Sequence, residues 1–164
     1  MSKGWLNALT DHPLLKGRVL VVGLVDLDPK MAEARAAEFA LGDVVIGSDL
    51  DAVLSQTKPD LLFDVVVPNA RPGLVATGLG HGCHVLTEKP MAPTLDSARE
   101  MVAQAKAAGR VHAVVQNRRY VPGIRRIRQL IESGALGQLN PADRHDAQRT
   151  QPFHSNICRR QARL

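Results

Sequence analysis

Residues 84–109 read HVLTEKPMAPTLDSAREMVAQAKAAG. With Cys83, the opening CHVLT (83–87) is a short β-branched, apolar run that reads as a strand, and LDSAREMVAQAKAA has the apolar spacing of a helix. Thr94 stands where it can cap that helix, and Gly109 where it can end it. VHAVV at 111–115 is a further strand. Upstream, LLFDVVVP at 61–68 reads as a buried strand stopped by Pro68, and 72–81 as a helix despite Gly73, Gly78 and Gly80. Short strands separated by helices of this length imply parallel pairing with crossover helices.

The alternation extends both ways. RVLVVGLVD at 18–26 is a nearly continuous apolar run, the pattern of a strand buried on both faces. Pro29 opens the helical PKMAEARAAEFA, and Gly42 suits its end. A strand is expected at 43–46, and Asp49 is placed to cap a helix running to Gln56. A last helix is expected at 122–133, before Gly134. Residues 138–164 lose the periodicity and read as an irregular tail. The expected class is α/β, a parallel sheet with flanking helices over 1–137.

Composition narrows the class. The 164 residues are 45% hydrophobic and 23% charged, which suits one globular domain and excludes a wholly disordered chain. Only 3% are aromatic, so the core must be aliphatic. No run approaches the roughly 18–20 apolar residues needed to span a bilayer, and the start, MSKGWLNALTDHP, lacks a signal-peptide centre. Cys83 and Cys158 stand far apart, which points to a reduced, cytoplasmic protein. The net charge is +5, but residues 138–164 hold five arginines against two aspartates, more than half of the excess. That distribution, with a single Tyr120 among Arg118, Arg119, Arg125, Arg126 and Arg128, argues against nucleic acid as a partner. His81, Cys83 and His84 form no metal site, because neighbours on a strand point to opposite faces.

Glu88-Lys89-Pro90 directly after a strand, VVVPNARPGLV at 65–75 before it and NRRYVPGIRRIRQLIESGALGQL at 117–139 after it resemble, in order and spacing, the Gfo/Idh/MocA oxidoreductases, NAD(P)-dependent dehydrogenases of sugars, inositols and related polyols. The resemblance covers about residues 1–139. It implies a Rossmann-like dinucleotide-binding domain over 1–137 that includes a linker helix. The family's first, central strand and first two glycines would precede Met1, and its C-terminal α+β domain would follow Leu139, so the chain is expected to be truncated at both ends. Without that central strand, the strands at 18–26 and 61–67 either pair directly or leave a buried edge unpaired, at about 1–3 kcal/mol for each unsatisfied group.

The resemblance also assigns a site. Ser2 stands in the place of the third glycine, where helix amides receive pyrophosphate. Asp26 would bind the adenosine ribose and repel a 2′-phosphate, favouring NAD over NADP, although Lys30 lies nearby. Asp26 is equally suited to ending the strand and capping the Pro29 helix, and Asp28 could cap instead. Pro68 and Asn69 would contact cofactor or simply form the strand-to-helix turn. Glu88 would bind the nicotinamide ribose. Lys89 would be the catalytic residue, reaching the ribose and the substrate hydroxyl. Arg119 would meet cofactor or substrate oxygens. The family's histidine is expected at the position of Pro72. The implied chemistry is hydride transfer between a secondary alcohol and nicotinamide, weak or inactive in this fragment. The alternative is a non-catalytic nucleotide-binding or interaction module, with self-association through an exposed sheet edge.

Overall fold

A computed structural model describes residues 2–137; the tail at 138–164, with His145, Asp146, His154 and Cys158, lies outside the described residues. The described chain divides into two compact units, the first ending at Arg119 and the second beginning at Tyr120.

The first unit alternates helices and strands as expected: α1 (Ser2–Asp11), β1 (Gly23–Val25), α2 (Pro29–Glu38), β2 (Val45–Gly47), α3 (Leu50–Thr57), β3 (Leu61–Asp64), α4 (Arg71–Gly80), β4 (His84–Thr87), α5 (Leu95–Ala107) and β5 (His112–Val114). Local chemistry sets the helix starts. Asp28 Oδ1 accepts from the Lys30 amide and caps α2. Asp49 caps α3 through the Asp51 and Ala52 amides, and Thr94 caps α5 through Ser97 N. The capping of α2 therefore falls to Asp28 and not to Asp26.

Every strand pair is parallel, but the strands form two sheets. β1 pairs with β2, from Gly23 opposite Val45 to Val25 opposite Gly47. β3, β4 and β5 form the second sheet in sequence order, with Leu61 opposite His84 and Val85 opposite His112. Direct pairing of β1 with β3 does not occur: each keeps one edge without a strand partner among the described residues.

Two expectations are corrected. The apolar run at 18–26 supplies only three strand residues, and none of its residues is fully buried; Leu20 is 81% exposed. The run at 61–68 is strand only to Asp64. A strand paired on one side has an open flank, so alternating side chains on both faces remain within reach of solvent.

The core lies on the three-stranded sheet. Val75 and Leu79 of α4, Val85 of β4, and Met101 and Ala105 of α5 pack together, each 6% exposed or less. Helix α4 approaches closely because Gly78 carries no side chain: a Cβ there would lie 2.6 Å from Leu62 Cδ2. Helix α1 touches both halves. Trp5 packs on Phe63 with ring centroids 5.2 Å apart, while Lys3 pairs with Glu38 of α2 at 2.6 Å. Leu9 lines a recess with Val21 and Phe39.

The second unit holds α6 (Pro122–Glu132), an amphipathic helix whose Ile124, Ile127 and Ile131 form an exposed apolar stripe. Arg128 pairs with Glu132 one turn on, at 2.7 Å.

Candidate functional site

Parallel strands bring the loops at their C-terminal ends to one edge of a sheet, and several expected site residues lie there. Pro68 and Asn69 follow β3, Glu88 and Lys89 follow β4, and Arg119 follows β5 in the short 3₁₀ turn Asn117–Tyr120. Asn69, Lys89 and Arg119 are exposed; Pro68 and Glu88 are half-buried. Asp26 stands at the corresponding end of β1, exposed, with its amide donating to Gly47 O at 3.2 Å. Its Oδ1 accepts from Asp28 N at 3.1 Å, which fixes the turn into α2.

The contact that joins α1 to this edge is between residues 83 apart in the chain. Trp5 Nε1 donates to Glu88 Oε1 at 2.8 Å. Trp5 lies in the first turn of α1, so the free amides of that helix start, beginning with Ser2, are carried to the Glu88–Pro90 turn. Glu88 is held on three sides: its amide donates to Asp64 O at 3.0 Å, Oε1 accepts from Trp5, and Oε2 accepts from Lys89 N at 3.3 Å. The Lys89–Pro90 peptide is cis. The Lys89 ammonium has no ion-pair partner among the described residues.

Beneath the turn lies a charged pair that the sequence analysis missed. Asp64 ends β3 and Arg71 begins α4, and both side chains are 1% exposed. Arg71 Nε donates to Asp64 Oδ2 at 2.6 Å, Nη2 to Val66 O at 2.9 Å, and Nη1 to Pro90 O. Asp64 Oδ1 accepts from Val66 N at 3.0 Å. One guanidinium fork thus ties the end of β3 to the Lys89–Pro90 segment. A signal was present: Asp64 is the one charged residue inside the apolar run LLFDVVV, and a buried carboxylate requires a cationic partner.

His112 on β5 lies beside this pair. Its Nε2 meets Thr87 Oγ1 at 3.3 Å, while Nδ1 is buried without a partner among the described residues. Burial pushes the imidazole below its ordinary 6.5, against an opposing pull from the Asp64 carboxylate and with a lesser push in the same direction from the Arg71 charge. Cys83 is buried and free; burial raises its thiol pKa, so it stays protonated and inert. Among the described residues no group of three His, Cys, Asp or Glu side chains is arranged to hold a metal ion, and no helix is long and apolar enough to cross a membrane.

Residues 3–116 match the family model described as "Oxidoreductase family, NAD-binding Rossmann fold". The chain is 34% identical over 92 residues to a D-xylose dehydrogenase of Paenarthrobacter nicotinovorans, covering 56% of this chain and 24% of that protein. It is 33% identical over 115 residues to D-glucoside 3-dehydrogenase of Escherichia coli, covering 68% and 32% respectively. Among solved structures, the WlbA dehydrogenase of Bordetella pertussis in complex with NADH and UDP-GlcNAcA superposes with a TM-score of 0.74 at 26% identity, over 84% of this chain and 40% of that one. The chain therefore spans about a quarter to a third of the length of these two curated relatives. With parallel crossovers, a helix start delivered to the Glu88–Pro90 turn, and a family match over most of its length, the chain belongs to the Gfo/Idh/MocA oxidoreductase family.

Proposed function

We propose that this chain binds NAD along the C-terminal edge of its strands and that Lys89 is the residue that takes part in hydride chemistry there. The observation that carries this is the Trp5–Glu88 hydrogen bond, which sets a helix N-terminus and the Glu88–Lys89 pair side by side. The residues suit a dinucleotide. The α1 amides near Ser2 offer donors and a positive dipole end to a pyrophosphate. Glu88 Oε2 is occupied only by the weak 3.3 Å contact from Lys89 N and can turn to accept from a ribose hydroxyl. Asp26, exposed at the end of β1, accepts from the adenosine ribose and disfavours a 2′-phosphate. Pro68 and Asn69 line the same edge, and Arg119 supplies charge-assisted donors to cofactor or substrate oxygens.

When bound, the nicotinamide supplies the hydride acceptor. Lys89 Nζ, exposed and without an ionic partner among the described residues, would take up the hydroxyl proton as the alcohol is oxidised, and in the reverse reduction the resulting ammonium would stabilise the developing alkoxide and return that proton. The D-xylose and D-glucoside dehydrogenases among the relatives support a sugar or polyol secondary alcohol as the substrate class. The proposal extends to a nucleotide-binding region at 1–137 and to a cytoplasmic location, which the far-apart Cys83 and Cys158 support.

Trp5 is the only tryptophan and touches the proposed site. Titration with NADH, followed by Trp5 emission and energy transfer to the reduced nicotinamide, tests the proposal. Saturable binding, tighter for NADH than NADPH and weakened by Asp26→Ala, is expected. Absence of saturable binding, with the chain folded, overturns it.

A second function is supported by the edges of β1 and β3 that have no strand partner among the described residues: a non-catalytic module that self-associates through strand addition. Light scattering across a concentration series decides. A concentration-independent monomer removes that function.

A further inference from the structure

We infer that Arg71 is a positioning residue that holds the Glu88–Pro90 turn in the geometry from which Lys89 meets the nicotinamide half of the cofactor; this rests on the nucleotide-binding proposal above. Arg71 is 1% exposed, so it cannot itself touch a ligand in solvent. Each of its three guanidinium nitrogens donates inside the fold, to Asp64, Val66 O and Pro90 O.

Pro90 O accepts from Arg71, and no other residue takes that acceptor among the described hydrogen bonds. The amide two residues earlier, Glu88 N, bonds to the backbone of Asp64, the residue whose carboxylate orients Arg71. The turn is thus pinned at both ends, at Glu88 by the main chain of β3 and at Pro90 by a side chain bound to β3. Lys89 sits between the pins, exposed, with no side-chain tether of its own among the described residues. The location of the ammonium therefore depends on the two peptide groups flanking it. A lysine at position 71 could keep the charge pair with Asp64, but a single ammonium lacks the planar fork that reaches three acceptors in different directions. The adenosine half of the cofactor, assigned to the Asp26 tip and the start of α1, has supports besides this pinned segment: α1 touches the turn through Trp5–Glu88 but is also anchored by the Lys3–Glu38 pair and by Trp5 on Phe63.

The test uses the full chain and two variants that avoid leaving a lone buried charge. R71K retains the ion pair, and the double variant D64N/R71M removes both charges while keeping side-chain volume. Trp5 emission, read without ligand, reports whether Glu88 has shifted. NADH and ADP affinities, measured separately, report on the two halves of the site. Expected for both variants are a cooperative melt, a red-shifted Trp5 emission, NADH affinity lowered about tenfold or more, and ADP affinity unchanged, since displacement of a reacting group by about 1 Å costs up to about 100-fold. Equal losses for NADH and ADP would show a general structural role and overturn the inference. So would wild-type emission and NADH affinity in R71K. If the wild-type chain binds neither nucleotide, the cofactor proposal fails by itself; emission unchanged in the variants then also overturns the clamp, and a red shift upholds it as a device that positions the turn.

Discussion

The two sheets of this protein are made from similar aliphatic sequence and behave differently. β4, paired on both sides and covered by α4, buries Val85 at 1% exposure and Thr87 at 0%. β1, drawn from the longer and more apolar run RVLVVGLVD, buries none of its three residues fully, and the flanking Leu20 and Leu27 are 81% and 95% exposed. Hydrophobic content does not separate them. The number of strand neighbours does, because each neighbour seals one flank and lets a helix close over the face. The candidate site draws on both halves, but its rigid part, the Glu88–Pro90 turn, belongs to the well-packed one.

The largest expected contrast is electrostatic. Arg71→Met leaves the Asp64 carboxylate buried without a partner and should cost about 3–5 kcal/mol, enough to unfold the domain or nearly so in a chemical denaturation. Arg35→Met in the other half breaks the pair with Glu38 at the surface and should leave the midpoint unmoved. Comparable losses would mean the two halves are equally consolidated.

A matched methionine pair gives the next effect. Met101→Ala, at 1% exposure in the core cluster, should destabilise by about 2–5 kcal/mol. Met31→Ala, at 48% exposure on α2, should stay within about 0.5 kcal/mol. Gly78→Ala sharpens the same point, since the added Cβ meets Leu62 and Val85 and should cost about 1–3 kcal/mol through overpacking.

Amide exchange should follow pairing number. Val85 N, donating to Val111 O at 2.8 Å on a doubly paired strand, should exchange far more slowly than Asp26 N, donating to Gly47 O at 3.2 Å on a singly paired one. Similar protection would contradict the open-flank account.

The smallest effect is a pH dependence confined to the packed half. His112 is held below its ordinary pKa of 6.5 in the fold, mainly by burial. Below that value the unfolded chain takes up a proton that the folded chain still excludes, so stability should fall as pH drops from 6.5 towards the folded pKa and then level off. His112→Gln should flatten this part of the profile; an unchanged profile would place the titration elsewhere.

Much of the fold is legible in the order of residues because local signals are redundant. Asp49, Thr94 and Asp28 cap the helices they precede, and strand-helix alternation already implies parallel pairing. The Glu88-Lys89-Pro90 turn is legible because a short motif after a strand is a local object. The tie from Trp5 to Glu88 is not, since it spans 83 positions and depends on how α1 lies across two sheets. The Asp64–Arg71 pair was half visible: an acid inside an apolar run demands a partner, but which cation comes within reach is a matter of where α4 starts.

Sequence by itself therefore determined most secondary elements, their parallel sense and the positions of Lys89 and Asp26 at strand ends, as consequences of periodicity and short-range chemistry, while the family rested on the resemblance of its motifs. Tertiary structure alone decided that the strands split into two sheets, that an apolar run stays open to water, and that a buried guanidinium reaches Pro90. Burial and long-range pairing depend on which surfaces meet, and no single strand carries that information.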